Sequence, residues 1–551
     1  MVLAVATSGR AAEPVIGFRN NGTGAYPDAD PPTVWSCTSN VVWRWQQEPL
    51  TATTISSLII VGNKVFTLGH PMAVICLDKN TGKVLWRRQT HLRAHGGTTS
   101  VSSADATERV PPQDQLVRAM HEALVRDGRI HALHAVGIMT GKKGGRGAGR
   151  MGPIVKGVGG RPSIRREMQR YEKNKSKGYK RKPWVTEKEE AFLKRLVADL
   201  KALSVHTDEE RAALTKELTE LTAKVPGRKD PGFKASGYTC GAAPASDGER
   251  VVAVFIPGLV VCYDLEGSLQ WTYAAVDAKG KVGKGGLAVV PAVGNGKVVV
   301  DRGSFIHCLD VKTGEVVWKK EGLRSGAFGQ AAASPVIGHN GGKYYVMVRQ
   351  QGDVWDLSTG EEVVPAWWRD DNAYRGQMME RYWASGISAD RKTLHGITHA
   401  VRIPDDPAKP PYTLWKLPLE YVGRKDKPKK VVGGNHQYCA PMITDDKIHF
   451  WNTGGGPHRL STLDAETGKL LVGPMTKGLP GNYPDPIYAG KYIYRFDAGG
   501  NCQIRDPEKG FELVADNLLE PGLNQVPVFE GHRMYIRTDL SVYCIEKPEG
   551  R

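Results

Sequence analysis

The sequence predicts an all-β protein: an eight-bladed β-propeller closed by an N-terminal strand, with a basic, partly helical insertion between blades 1 and 2. Three observations predict it. A strand–turn–strand motif recurs in register along the chain. A second landmark, a small residue and a proline ahead of an aliphatic strand, keeps step with the first. The first strand-like stretch of the chain also matches an outer strand that the last repeat lacks.

The motif is clearest at Asp310-Val-Lys-Thr-Gly314-Glu-Val-Val-Trp318, and it reads Asp78-Lys-Asn-Thr-Gly82-Lys-Val-Leu-Trp86 near the start and Asp464-Ala-Glu-Thr-Gly468 near the end. Phe305-Ile-His-Cys-Leu309 supplies the incoming strand. The Asp310 carboxylate is placed to accept turn N–H groups, Gly314 supplies a positive φ, and Val316-Val317-Trp318 returns as the next strand. Aligned on this aspartate, the repeats fall at Asp78, Asp264, Asp310, Asp356, Asp464 and Asp506, with Glu546 in the last place. The intervals are 186, 46, 46, 108, 42 and 40 residues. The 108 holds two units, and the 186 holds one unit plus a long insertion.

The proline landmark reads Ala243-Pro244, Val290-Pro291, Ser334-Pro335, Ala440-Pro441, Asp485-Pro486 and Val526-Pro527. Proline is tolerated there because it opens an inner strand, whose N–H on that side has no ladder partner to lose. The two landmarks place blades at residues 53–90, 237–275, 286–321, 329–366, 381–420, 435–475, 482–515 and 524–546. The fifth is the weakest match. Tyr412-Thr-Leu-Trp415 reads as its outer strand, but Pro-rich sequence from Pro404 to Pro411 replaces the Asp–Gly turn.

The last unit ends at Glu546 before any outer strand, while Val41-Val-Trp43-Arg44-Trp45 matches the outer strands Val316-Val-Trp318-Lys319 and Val84-Leu-Trp86-Arg87. The N-terminal strand is thus expected to complete blade 8 and close the ring, which removes an open sheet edge. The division is residues 1–40 as leader and lead-in, 41–96 as ring-closing strand and blade 1, 97–235 as the insertion, and 236–551 as blades 2 to 8.

Composition agrees. Gly at 64, Pro at 34 and 8% aromatics suit a turn-rich β protein. No apolar run approaches the roughly 18 residues of a membrane helix. Met1-Val-Leu-Ala-Val-Ala, followed by small residues, resembles the tail of a secretory signal without its basic start; an ordinary N-terminus reads the same way. The eight cysteines are Cys37, Cys76, Cys240, Cys262, Cys308, Cys439, Cys502 and Cys544, with no adjacent pair and no C-x-x-C. Cys76, Cys262, Cys308 and Cys544 share one strand position and read as small buried apolar residues.

The Asp-x-x-Thr-Gly-x-x-x-Trp repeat resembles that of the pyrroloquinoline-quinone-like propeller family. The opening Gly17-Phe-Arg19-Asn-Asn-Gly-Thr-Gly24, with Pro27 and Pro31-Pro32 ahead of Val42-Trp43, is similar to the start of extracytoplasmic propeller proteins of planctomycete-type bacteria. The resemblance covers residues 15–96 and 236–548. It implies either of two roles: a docking scaffold like the outer-membrane assembly lipoproteins, or a quinone-dependent alcohol dehydrogenase. The dehydrogenases use a vicinal disulfide, a Glu/Asn/Asp calcium site and a catalytic aspartate. No two cysteines adjoin here and no calcium ligands map onto this sequence, so pyrroloquinoline quinone and calcium are expected only under that second role. No catalytic residue is assigned.

The insertion carries the charge. From Gly141 to Lys182 there are fifteen basic residues: Lys142, Lys143, Arg146, Arg150, Lys156, Arg161, Arg165, Arg166, Arg170, Lys173, Lys175, Lys177, Lys180, Arg181 and Lys182. Only Glu167 and Glu172 oppose them, a net +13 out of +17 for the whole chain. Behind this strip, Thr186-x-x-Glu189 and Thr207-x-x-Glu210 are capping boxes. Each is followed by an apolar stripe: Phe192, Leu196, Leu200 and Leu203, then Leu214, Leu218, Leu221 and Val225. The spacing predicts an antiparallel helical hairpin, and an earlier helix near 113–125. Such a strip suits RNA, DNA, an anionic lipid or an acidic polymer. Tyr171, Tyr179 and Trp184 are too few for a single-strand stacking groove. The expectation is therefore a partner-binding arm of a larger assembly.

Residues just ahead of the inner strands are expected to meet at one channel mouth: Tyr238, Gln330, Arg381, Trp383, His436, Tyr438, Asn482, Tyr483, Asn524 and Gln525. An aromatic and amide-rich ring suits a small ligand or a peptide loop; such residues also line ordinary wet channels. His91-x3-His95 and His131-x2-His134 lack a third ligand, so no metal site is expected. No Walker loop, G-x-S-x-G elbow, H-E-x-x-H or EF-hand loop occurs. The sequence thus predicts a non-catalytic scaffold, extracytoplasmic, that docks partners through its basic insertion.

Overall fold

Repetition of one hairpin at a fixed period builds eight antiparallel sheets, and each unit buries its faces against its neighbours. The structure is a computed structural model and describes residues 16–36, 38–46, 56–69, 73–89, 243–255, 258–278, 290–323, 334–348, 352–365, 385–396, 398–418, 421, 440–452, 459–476, 485–496, 501–519, 526–538 and 541–548. In order from the axis outward, blade 1 is Leu58–Val61, Lys64–Gly69, Ala73–Asp78 and Val84–Gln89. Blade 2 is Ala245–Ser246, Arg250–Val254, Leu259–Asp264 and Leu269–Ala274; blade 3 is Ala292–Gly294, Lys297–Asp301, Ile306–Asp310 and Val316–Lys320. Blade 4 is Val336–Asn340, Lys343–Val348, Asp353–Asp356 and Glu362–Val364. Blade 5 is Gly386–Ile387, Thr393–His395, His399–Arg402 and Tyr412–Lys416, a full four-stranded sheet despite its unusual turn. Blade 6 is Met442–Ile443, Lys447–Asn452, Arg459–Asp464 and Leu470–Met475; blade 7 is Ile487–Ala489, Tyr492–Phe496, Asn501–Asp506 and Glu512–Leu518.

Blade 8 takes three strands from the end of the chain, Val528–Glu530, Arg533–Arg537 and Ser541–Glu546. Its outer strand is Val41–Gln46, which pairs antiparallel with Ser541–Glu546. The ring is closed as the sequence predicts. The insertion 97–235, with its basic strip and expected helices, lies outside the described residues. So do His91, His95, His131 and His134.

The repeated turn does more than reverse the chain. Asp310 Oδ1 accepts the N–H groups of Lys312 at 2.8 Å and Thr313 at 2.9 Å. Beyond the turn the ladder slips, so that Val316 faces Leu309 and Trp318 faces Cys308. The same pairing sets Trp86 against Cys76, Trp271 against Cys262 and Trp43 against Cys544. These cysteines are buried and unlinked, as the sequence predicts.

Each such indole reaches out of its own blade onto the turn of the next. Trp43 Nε1 donates to Lys79 O at 2.9 Å, Trp86 to Leu265 O at 2.9 Å and Trp271 to Val311 O at 2.8 Å. Trp318 donates to Leu357 O at 2.9 Å and Trp415 to Ala465 O at 2.8 Å. The turn glycine makes room for this: at Gly314 φ is 73°, and a Cβ would lie 2.6 Å from Trp271 Cδ2. Tryptophan therefore clasps the seams 8–1, 1–2, 2–3, 3–4 and 5–6. The seams 4–5, 6–7 and 7–8 have no such clasp among the described residues. Their receiving turns are the Pro-rich stretch of blade 5, Asp506-Pro-Glu-Lys-Gly510 and Glu546-Lys-Pro. A Cβ on Gly510 would meet nothing within 4 Å.

Candidate functional site

Inner strands leave one edge of each blade facing the axis, and something must satisfy those backbone groups. Residues 16–36 do so. This strap lies across the axial channel on the side of the inner-strand hairpin turns, and adds the short parallel strand Ala25–Tyr26 to the inner edge of blade 7. Ile16 exchanges backbone bonds with Ser246 of blade 2, at 3.2 and 2.8 Å. Asn20 Oδ1 accepts from Ile60 N of blade 1 at 2.9 Å. Ile443 N of blade 6 donates to Thr23 O at 3.0 Å, and Tyr488 N of blade 7 to Gly24 O at 3.0 Å. Asp30 N donates to Gly531 O of blade 8 at 2.9 Å.

Arg19 is the centre of this arrangement. Its backbone is left-handed, with φ 55°, and Asn20 follows at φ 64°. That conformation costs a side-chain-bearing residue about 1–3 kcal/mol, so tertiary contacts must hold it. They are present: the buried guanidinium donates from Nη2 to Ala440 O at 2.8 Å and Pro486 O at 3.1 Å, and from Nη1 to Pro441 O. Arg19 Nε lies 3.5 Å from Asp485 Oδ2, and Asp485 Oδ1 accepts Ala440 N at 2.7 Å. Burial raises the Asp485 carboxyl above its usual range, and the Arg19 charge offsets part of that rise. Beside the strap, a small slot of about 20 Å³ is lined by Phe18, Pro291, Val293, Val336, Ile337 and Arg391. Arg391 Nη2 donates to Asn21 O at 3.0 Å.

A second set of polar groups is buried within the blades. His307 Nδ1 pairs with Tyr273 OH at 2.9 Å, His449 Nδ1 with Thr462 Oγ1 at 2.8 Å, and His399 Nε2 with Gly352 O at 3.2 Å. In each the other ring nitrogen has no hydrogen-bond partner, nor does His395 Nδ1. Burial is the main cause that pushes His395 and His449 down to about 3, and His307 and His399 to about 4, so all four are neutral at physiological pH. Arg302, Arg495 and Arg537, also buried, lie at or next to the ends of second strands. Arg537 Nη1 donates to Thr67 Oγ1 at 2.5 Å across the 8–1 seam, and Arg495 lies over Trp451 at 5.8 Å.

The sequence-predicted ring of Tyr238, Gln330, Arg381, Trp383, His436, Tyr438, Asn482, Tyr483, Asn524 and Gln525 lies outside the described residues. The strands those positions precede are described, and in blades 6 and 7 the residues just ahead of them, Ala440, Pro441 and Pro486, are bonded to Arg19 of the strap. The strap was legible only as a lead-in. Two consecutive left-handed non-glycine residues inside a Gly- and Asn-rich run were the signal available.

A quinone and calcium pair would need hard oxygen donors and a flat pocket near the axis. Among the described residues, no three His, Cys, Asp or Glu side chains come together to hold a metal. The carbonyl oxygens of Ala440, Pro441 and Pro486 are bonded to the Arg19 guanidinium. No helix among the described residues is long and apolar enough to cross a membrane.

Several solved structures are similar. BamB from Moraxella catarrhalis aligns at 14% identity over 56% of this chain and 81% of that one, with a TM-score of 0.36. The quinohemoprotein alcohol dehydrogenase ADHIIG from Pseudomonas putida HK5 aligns at 11% identity over 95% of this chain and 80% of that one, with a TM-score of 0.42. A europium-containing methanol dehydrogenase aligns at 11% identity over 93% and 87%, with a TM-score of 0.42. No curated protein matches the chain with significance. The profile of the family described as outer membrane protein assembly factor BamB matches residues 34–125 and 197–400, more than half of the sequence. With eight sheets in a closed ring built on the matching repeat, the chain belongs to this PQQ-like β-propeller family.

Proposed function

We propose that this protein is a non-catalytic interaction scaffold of an extracytoplasmic assembly, which docks its partner through the basic insertion 97–235. One observation carries the reading: a net +13 of the chain's +17 falls between Gly141 and Lys182. The insertion interrupts a ring in which every blade is already complete. A closed ring needs nothing from such a segment for its own core, so the charge is free to serve recognition. The described part of the channel supports the same reading, since its polar side chains are bonded to other parts of the fold rather than converging on a reacting centre.

The reading also assigns the ten residues from Tyr238 to Gln525 to a mouth that receives a small ligand or a peptide loop of the partner. Membership in a family described as an assembly factor supports a protein partner and an extracytoplasmic setting. Deleting 97–235 tests the proposal. The shortened chain should keep the β circular dichroism and cooperative unfolding of the ring, and should lose the association seen in material purified from its native source. An unchanged complex size on gel filtration overturns it.

A further inference from the structure

Three seams of the ring have no tryptophan clasp among the described residues, and the strap crosses each of them with a different residue. At the 4–5 seam, Phe18 packs against the cluster formed by Val336 and Met347 of blade 4 with Ile387 and Leu394 of blade 5. At the 6–7 seam, Arg19 binds the carbonyls of Ala440 and Pro441 on one side, and Pro486 O and Asp485 on the other. At the 7–8 seam, Trp35 stacks on Tyr494 and Phe496 of blade 7, at 6.2 and 6.3 Å. Its backbone N–H donates to Asn517 Oδ1 at 3.1 Å, while Asp30 N donates to Gly531 O of blade 8 at 2.9 Å and its carboxylate pairs with Lys547 at 2.6 Å. On the clasped side the strap's hydrogen bonds are each to a single blade, Asn20 to Ile60 and Ile16 to Ser246, and Ile16, Phe18 and Tyr26 pack there on the apolar clusters of the 1–2, 2–3 and 8–1 seams, which the indoles already hold.

We infer that the N-terminal strap is the tie across the three seams that have no tryptophan clasp among the described residues, so that the ring has a self-clasped arc and an arc held by the strap. Blades 8, 1, 2, 3 and 4 form the first arc, each indole locking onto the next turn. Blades 5 to 7 form the second, in which Trp415 still clasps blade 5 to blade 6, and the seams 4–5, 6–7 and 7–8 open when the strap lets go. The unclasped seams do hold direct contacts: Asn340 Nδ2 donates to Pro404 O at 2.6 Å at 4–5, and Lys447 pairs with Glu508 at 2.8 Å at 6–7. The second of these is an exposed pair, worth little in water. Arg19, by contrast, is buried and joins both sides of its seam at once. Releasing it leaves Asp485 and three carbonyls without that donor, so the loss spreads to both blades.

Amide hydrogen exchange on the full chain tests this, because it reads each strand separately. In Arg19→Gln, exchange in Met442–Ile443, Lys447–Asn452, Ile487–Ala489 and Tyr492–Phe496 should rise about tenfold or more, while Lys64–Gly69 and Lys297–Asp301 change less than about twofold. The converse variant, Trp271→Phe, should raise exchange around the 2–3 seam and leave blades 6 and 7 unchanged. An even rise across all blades in Arg19→Gln overturns the inference, as does no rise. If that variant fails to fold, the unaltered protein in graded sub-denaturing urea decides. Blades 5 to 7 should open before blades 8, 1, 2, 3 and 4, and simultaneous or reversed opening overturns it.

Discussion

At Gly314 one hydrogen atom in place of a methyl group lets Trp271 of the preceding blade lie on the turn. Gly510 has a similar left-handed backbone, with φ 62°, but no indole above it. The pair separates two costs. Gly510→Ala should lose only the roughly 1–2 kcal/mol of a left-handed alanine. Gly314→Ala should lose that and the seating of Trp271, for a total of about 3 kcal/mol or more. Urea unfolding followed by tryptophan fluorescence measures both, and equal losses would sink the clasp. The turn aspartates act at this scale as well. Hydrogen bonds from Thr81 and Thr467 hold the carboxyls of Asp78 and Asp464 below their usual range.

Among elements, the strands that carry buried imidazoles set the acid limit of the fold. His307, His395, His399 and His449 have folded values of about 3 to 4, below the ordinary value near 6.5. The unfolded chain therefore binds more protons than the folded one below that value. Stability is fully present above about pH 6.5 and falls as pH drops towards 4, by up to about 1.4 kcal/mol per pH unit for each imidazole. Two of them sit at unclasped seams: His399 meets Gly352 across 4–5, and His449 stacks on Tyr488 across 6–7 at 5.3 Å. Urea midpoints at pH 7.5 and pH 5 should differ, and His449→Gln should remove about one proton's share of that slope. A slope that does not change in the variant would assign the acid sensitivity elsewhere.

For the whole molecule, the distribution of charge makes a separate prediction. If the strip from Gly141 to Lys182 docks an acidic surface, association of the full chain should weaken steeply and log-linearly between about 50 and 200 mM salt. The ring itself, held by buried aliphatic clusters and clasps, should show little change in urea midpoint over that range. A flat association curve removes charge as the docking force. A family name does not decide between a protein and another polyanion, since function resides in sites placed on folds. Titrating an acidic protein domain against a duplex of equal net charge separates them. Tighter binding of the duplex at equal salt would count against a protein partner.

Sequence alone determined the number of blades, their order, the closure of the ring by Val41–Gln46 and the burial of the strand cysteines, because these are local and periodic. A turn aspartate, a left-handed glycine and a following tryptophan lie within nine residues, and repetition makes even a weak signal certain. Even blade 5, whose Asp–Gly turn is replaced by Pro404 to Pro411, kept its sheet because its neighbours and its alternating strands required one. What only the tertiary structure decided is aperiodic. Arg19 meets Pro441 across 422 positions, and nothing in either stretch names the other. The tryptophan of one blade lands on the glycine of the next, so the clasp follows from blade order rather than from the hairpin. That three seams lack it among the described residues, and that the strap spans them, shows only in the packing about a common axis.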